Sequence, residues 1–177
     1  MRVVIADDHP MMRRALADAV TGALEAPVDI GEAGSFDEVN AALSRSAAQL
    51  LLLDLHMPGM SGFAGLVALR AAFPSLPTVV VSANEDATLI RRAIEFGAAG
   101  YIPKSVPIAQ IGEALRAVLA GDIWVPYAAA EAPPNEEMSR FAARVAYPYG
   151  HPYYGPNVGI FWGPSFYGSF RYRGFRR

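Results

Sequence analysis

The sequence predicts an α/β domain with a doubly wound parallel sheet over residues 1–121, and three observations carry that prediction. Five short apolar runs alternate with five segments whose apolar residues recur at helical spacing, the pattern of strands joined by covering helices. The run Leu50-Leu51-Leu52-Leu53 is apolar without alternation, as a strand buried on both faces must be. Turn residues separate the segments: Pro58-Gly59 follows the leucine run, and Gly97 and Gly121 end the last two helical stretches.

Arg2-Val3-Val4-Ile5-Ala6 is a short strand that runs into Asp7-Asp8-His9-Pro10. Pro10 suits a first helical turn, where its missing N–H has no partner to lose. Met12, Leu16, Ala19, Val20 and Ala23 then repeat with helical period, and residues 28–33 form a second strand. Ser35-Phe36-Asp37-Glu38 is a capping box, opening a helix with Val39 and Leu43 inward. The leucine strand follows and ends in Asp54, and Leu66, Leu69 and Phe73 mark a third helix closed by Pro74. Thr78-Val79-Val80-Val81-Ser82 is a β-branched strand. Asp86 caps a fourth helix with Ile90, Ala93 and Ile94 inward. Residues 99–102 are a short fifth strand, and Pro107 opens a fifth helix carrying Ile108, Ile111, Leu115 and Val118 on one face.

Beyond Gly121 the character changes. Residues 122–126 read as a short extended piece lying on the domain, and residues 122–146 as a linker that includes Pro133-Pro134 and a short amphipathic segment at Met138, Phe141, Ala142 and Val145. Residues 147–177 hold eleven aromatics, six Gly and four Pro and no Leu, Lys, Asp or Glu, a low-complexity composition without helical or strand period.

At 177 residues and 53% hydrophobic, the chain is long and apolar enough for one domain with a sizeable core plus an extension. It has no cysteine, which excludes a disulfide framework and thiol chemistry. Its three histidines, His9, His56 and His151, argue against a histidine-rich metal site. The net charge of −2 is uneven: residues 1–122 hold nine Lys/Arg against fourteen Asp/Glu, and residues 123–177 six Arg against three Glu. No basic-then-apolar leader and no membrane-length apolar run is visible, so a cytoplasmic protein without a membrane span is expected.

Four strand ends carry the chemistry. The first strand ends in Asp7-Asp8, the third in Asp54, the fourth in Ser82, and Lys104 follows the fifth. In a parallel sheet these ends share the edge where ligands of open α/β folds bind. Three carboxylates there repel one another unless a cation sits among them, and oxygen ligands suit a hard ion such as Mg²⁺. A lysine and a hydroxyl on the same edge suit an added anion. The simplest chemistry that uses every part is phosphoryl transfer to a carboxylate. Singly, each residue has a plainer reading as helix cap, solvated charge or satisfied hydroxyl; four together at successive strand ends do not.

In this combination the chain resembles the receiver domain of two-component response regulators over residues 1–121. Asp7-Asp8, Asp54 within Leu-Asp-Leu-His-Met-Pro-Gly, Ser82, Tyr101 and Lys104 carry the resemblance. Asp8-His9-Pro10 followed by Met-Met-Arg, Gly100-Tyr101-Ile102-Pro103-Lys104-Ser105, and Gly121-Asp122-Ile123-Trp124-Val125-Pro126 are similar to the NarL/FixJ-like subfamily. The resemblance implies a flavodoxin-like (βα)5 fold with strand order 2-1-3-4-5. It implies Asp54 as phosphoacceptor from a sensor histidine kinase. Asp8, Asp54 and the backbone carbonyl of His56 would ligate Mg²⁺, with Asp7 acting mostly through water. Ser82 and Lys104 would hold phosphoryl oxygens, and Tyr101 would rotate inward as Ser82 moves. The chain is then expected to be a switch on a protein-interaction surface rather than an enzyme, with self-phosphorylation and self-dephosphorylation at most, and to allow a homodimer on phosphorylation.

The sequence departs from the family in three places. Ser105 follows Lys104 where many members have proline, and Ser82 stands for the commoner threonine. The four-helix DNA-binding domain of the subfamily has no counterpart after residue 146, so no sequence-specific DNA binding is expected from this chain. The alternative is a truncated or fused transcriptional regulator that lacks its DNA-binding half. The tail's Arg171, Arg173, Arg176 and Arg177 among aromatics suit weak nucleic-acid contact, though a solvated tail is the plainer reading. A flavin-binding protein of the same fold would need a phosphate loop where Asp7-Asp8 stand. An aspartyl phosphatase would carry an acid at position 56, which is histidine.

Overall fold

The computed structural model describes residues 1–24 and 27–126. Strands and helices alternate as β1 (Arg2–Ala6), α1 (Pro10–Ala23), β2 (Asp29–Ala33), α2 (Phe36–Arg45), β3 (Leu50–Leu53), α3 (Phe63–Ala72), β4 (Thr78–Ser82), α4 (Ala87–Glu95), β5 (Gly100–Pro103) and α5 (Ile108–Leu119). All strand pairs are parallel, in the order β2-β1-β3-β4-β5, the flavodoxin-like arrangement. The order reverses between β1 and β3, which makes their carboxyl ends the switch point of the sheet.

The apolar runs explain the layering. Successive side chains of a strand point to opposite faces. Val3 and Ile5, Leu50 and Leu52, Val79 and Val81, and Ile102 therefore meet Leu16 and Val20 of α1 and Ile111, Leu115 and Val118 of α5. Val4 and Ala6, Leu51 and Leu53, Val80 and Tyr101 meet Val39 and Leu43 of α2, Leu66 and Leu69 of α3, and Ile90 and Ile94 of α4. With both faces covered, Leu50, Leu51, Leu52 and Leu53 are all fully buried. Each such side chain contributes roughly 1.5–3 kcal/mol of transfer free energy, an upper figure because an unfolded chain already hides some of that surface.

The helix ends follow the caps. Ser35 Oγ accepts from Glu38 N at 3.3 Å, but the Glu38 carboxylate accepts from Gly34 N at 2.8 Å, one residue before the cap rather than at it. Asp86 Oδ1 accepts from Thr88 N at 2.7 Å, and this backbone hydrogen bond holds the exposed carboxyl below its ordinary pKa. Gly97 closes α4 at φ +91°, where a side chain would be strained and would also meet Arg70.

The piece after α5 lies on the domain as expected. Trp124 pairs with Gly100 as a parallel bridge. Tyr101 N donates to Trp124 O at 2.9 Å, and Trp124 N to Ala99 O at 3.3 Å. The Trp124 side chain is buried with the α1–α5 core, and Val125 with the opposite one. A Cβ on Gly100 would stand 3.0 Å from Trp124 O, so the close approach of the two backbones needs glycine there. The rest of the expected linker, the amphipathic segment at 138–145 and the tail at 147–177 lie outside the described residues.

Candidate functional site

The sheet sets the site directly. Ala6 pairs with Leu53, and Leu53 with Val80, so the residues after β1 and β3 emerge side by side. The ladder continues one residue further: Asp7 N donates to Ala33 O at 3.0 Å, and Asp54 N to Ala6 O at 2.8 Å. Across the sheet, Lys104 N donates to Ser82 O at 2.8 Å. Asp7, Asp54 and Lys104 thus stand on backbone that cannot drift.

Each acid is aimed by a second turn of hydrogen bonding. Asp7 Oδ1 accepts from His9 N at 2.9 Å, and Asp54 Oδ1 from His56 N at 3.0 Å. These side-chain-to-backbone turns close over two residues and fix the chain that follows each acid. Arg13 braces the first of them, donating to Asp7 O at 2.7 Å while its Nε pairs with Glu32 at 2.9 Å.

Both Asp7 and Asp54 are buried, which costs several kcal/mol per ion unless it is offset by a partner. The partner is Lys104, whose Nζ lies 2.7 Å from Asp54 Oδ2 and 2.6 Å from Asp7 Oδ2. Asp54 Oδ2 accepts from the ammonium, and Asp7 Oδ2 is its second ion-pair partner. Burial works against the Lys104 ammonium, but hydrogen bonding and charge from Asp54 and Asp7 outweigh it and hold its pKa above the ordinary lysine value.

Asp8 stands at the rim, partly exposed, with its Oδ1 2.6 Å from His9 Nδ1. The His56 ring is mostly exposed, its Nδ1 3.9 Å from Asp54 Oδ1. His56, Ser82, Ala83, Asn84 and Glu85 line an open cleft beside the acids. Ser82 is buried, and its Oγ accepts from Asn84 N at 3.3 Å. The Tyr101 ring is buried too, and its hydroxyl donates to Asn84 O at 2.6 Å. Burial pushes the Tyr101 pKa up, hydrogen bonding with Ser82 works the other way, and the Asp54, Asp86 and Glu85 charges add to the rise. In this structure the ring packs in the core, with its hydroxyl on a carbonyl of the loop after β4. Ser105 Oγ, at the position where many family members have proline, donates to Glu85 Oε1 at 2.5 Å and ties the loop after β5 to the loop after β4.

All seven residues named from the sequence lie at or beside this edge, with Asp7, Asp54 and Lys104 in direct contact. Sequence reading overlooked His9, whose ring belongs to the acid group. One ligand atom from each of Asp7, Asp8, His9 and Asp54 can be drawn within 4.8 Å of the others. The three carboxylates of this group form an oxygen donor set that fits a divalent cation.

Comparison with known proteins agrees with this geometry. Residues 3–116 match the family described as response regulator receiver domain. The chain is 37% identical over 129 residues to the glycerol metabolism activator of Pseudomonas putida, covering 71% of this chain and 57% of that protein. It is 34% identical over 132 residues to the probable transcriptional regulatory protein NarL of Mycobacterium tuberculosis, covering 71% and 58%. Among solved structures, the signal receiver domain of NarL from M. tuberculosis superposes with a TM-score of 0.60 at 29% identity, over 68% of this chain and 96% of that one. The isolated REC domain of RcsB from Salmonella enterica serovar Typhimurium, solved with the phosphomimetic BeF3−, superposes at 0.67 with 25% identity, over 73% and 96%. The chain thus spans under two thirds of the length of these full-length relatives. Among the described residues no helix is long and apolar enough to cross a membrane.

Proposed function

The chain belongs to the response regulator receiver family of two-component systems, and from that premise we propose that Asp54 is its phosphoacceptor. The observation that carries the proposal is the contact of one ammonium, Lys104, with two buried carboxylates at the switch point of the sheet. An Asp54 oxygen attacks the phosphorus of a kinase phosphohistidine; the new P–O bond forms as the P–N bond breaks, and the imidazole leaves to take up a proton. The Lys104 ammonium, already beside Asp54, turns to a phosphoryl oxygen. Ser82 Oγ offers a second donor from the neighbouring strand.

Asp7, Asp8, Asp54 and the His56 carbonyl would hold Mg²⁺, whose role when bound is to neutralise charge on the transferring group. Asp7 and Asp54 are braced by His9 N and His56 N, so these acids are preorganised for it. The receiver domain of 1–121, with residues 122–126 packed on it, acts on a partner surface rather than as an enzyme, works in the cytoplasm, and can pair with a second copy when phosphorylated.

Incubation with acetyl phosphate and Mg²⁺, read by intact mass, tests the assignment. The parent should gain one phosphoryl mass and Asp54→Ala should gain none. Equal gain in both would remove Asp54 from the role.

A further inference from the structure

Asp8 carries one of the three carboxylates of the cation pocket, yet the paired register of β1 ends two residues earlier, at Ala6. Its direction is set by the peptides on either side of it. The His9 N–H that follows is pinned to Asp7 Oδ1 at 2.9 Å. The Asp7 carbonyl that precedes it accepts from Arg13 Nη1 at 2.7 Å. Asp8 thus hangs between two fixed peptide planes, and one of them depends on a side chain from the first turn of α1.

Arg13 is aimed in its turn. Its Nε donates to Glu32 Oε2 at 2.9 Å, and its side chain is only 18% exposed. Glu32 stands one residue before Ala33, whose carbonyl accepts from Asp7 N at 3.0 Å. Asp7 is therefore tied to the end of β2 twice, by its N–H directly and by its carbonyl through Arg13 and Glu32. A guanidinium suits this task because its planar fork presents Nε–H and Nη–H in a fixed relation, serving a carboxylate and a carbonyl together. The neighbouring Arg14 makes the contrast. It is 81% exposed, and its Nε lies 3.5 Å from Asp18 Oδ1 along the same helix, a surface pair of little energetic weight.

We propose that Arg13 is a positioning residue for the cation pocket: through the Asp7 carbonyl it holds the Asp7–Asp8 peptide, so that Asp8 stays aimed at the bound ion. This inference rests on the cation pocket of the proposed function. Arg13 acts through a backbone oxygen rather than on the ion itself. Its charge and its geometry have effects of opposite sign. A positive charge near the acids repels a dication, so removing charge alone would tighten Mg²⁺ binding. Releasing the Asp7–Asp8 peptide loosens it, and groups that orient metal ligands from outside are worth about ten- to a hundredfold in metal affinity.

The test measures Mg²⁺ dissociation constants by calorimetry on the full chain, for the parent, Arg13→Gln, Glu32→Ala, the double variant, Asp8→Ala and Arg14→Gln. Arg13→Gln should weaken Mg²⁺ binding about tenfold. Glu32→Ala should weaken it less, and the double variant should be no weaker than Arg13→Gln, since both act through one bridge. Arg14→Gln removes the same charge one position along and should leave the constant unchanged. Phosphorylation by acetyl phosphate, followed by intact mass across a Mg²⁺ titration, gives a second readout. The half-saturating Mg²⁺ concentration should rise about tenfold in Arg13→Gln, while the rate at saturating Mg²⁺ returns to that of the parent. A general loss of fold does not give that split. Unchanged or tighter Mg²⁺ binding in Arg13→Gln, with binding weakened in Asp8→Ala, overturns the role of Arg13 and leaves the pocket standing. An equal loss in Arg14→Gln also overturns it. If Arg13→Gln does not fold, Glu32→Ala decides alone, and parental affinity there overturns the bridge. No Mg²⁺ binding by the parent would remove the pocket itself, and this inference with it.

Discussion

The Lys104 ammonium rests 2.7 Å from the Asp54 carboxylate. It spans to Asp7 as well, so a single cation neutralises two buried acids. Removing it leaves both uncompensated. Lys104→Met should lower stability by about 3 kcal/mol, the lower end for a broken buried pair because the lysine head is partly exposed. Millimolar Mg²⁺ should raise the melting temperature of Lys104→Met more than that of the parent, because ion and lysine compensate the same acids. Equal Mg²⁺ shifts in both would separate the lysine from the cation pocket.

Alkaline pH should weaken the fold through two groups at this edge. Lys104 has a raised pKa in the folded state, so its stabilisation is complete below the ordinary lysine value of 10.5 and is lost as pH rises through the folded value. Tyr101 is also raised. Above its ordinary value of 10.0 the unfolded chain ionises first and gains relative to the folded one. Both effects have the same sign, and both begin near pH 10. Melting temperature followed from pH 8 to 11 should fall in the parent, and less steeply in Tyr101→Phe. Superimposable slopes would remove Tyr101 from the account.

Much of this was legible in the sequence for a physical reason: strand ends in a parallel sheet share an edge. Once Leu50–Leu53 is read as a doubly covered strand, Asp54 must emerge beside the end of β1, and the register of Ala6 with Leu53 bears that out. The Asp86 cap was visible because its partner, Thr88 N, is two residues away. What stayed hidden depends on side-chain direction or on distant backbone. No periodicity shows that Lys104 touches Asp7 across 97 residues of chain. The resemblance implied a Tyr101 that turns inward, and nothing in the sequence revealed the Asn84 carbonyl that already holds it there. His9 was legible only within Asp8-His9-Pro10, because its contact with the acids depends on side-chain direction, Nδ1 lying 2.6 Å from Asp8 Oδ1.

Trp124 should matter to stability although it lies beyond the last helix. It is fully surrounded by the α1–α5 core, and its backbone occupies the outer edge of β5. Trp124→Ala removes a large buried side chain and should cost about 3–5 kcal/mol, measured by urea unfolding of the full chain. Amide exchange at Tyr101 should also accelerate, since its N–H is bonded to Trp124 O. A cost below about 1 kcal/mol, the range of surface changes, would mean the segment only rests on the sheet.

The last prediction concerns how the state of Asp54 reaches the surface. Asn84 stands between Ser82 and Tyr101: its N–H donates to Ser82 Oγ at 3.3 Å, and its carbonyl accepts from the Tyr101 hydroxyl at 2.6 Å. Phosphorylation adds about −1.5 to −2 charges and three acceptor oxygens at Asp54. If Ser82 turns its hydroxyl to one of them, its oxygen can no longer serve Asn84 N as it does now. The loop after β4 is then released to shift, and the Tyr101 anchor moves with it. The hypothesis is a two-state equilibrium of loop, β5 and α4 in which the phosphoryl group selects one state through Ser82. Ser82→Ala should still accept phosphate on Asp54, yet show reduced amide shifts over residues 86–118 when a phosphoryl mimic is added. Tyr101→Phe, which keeps Ser82 but lacks the hydroxyl, should retain the shift near Asn84 and lose it along β5. NMR spectra of the three proteins with and without the mimic decide the matter. Shifts of equal size in Ser82→Ala and the parent would rule out this relay.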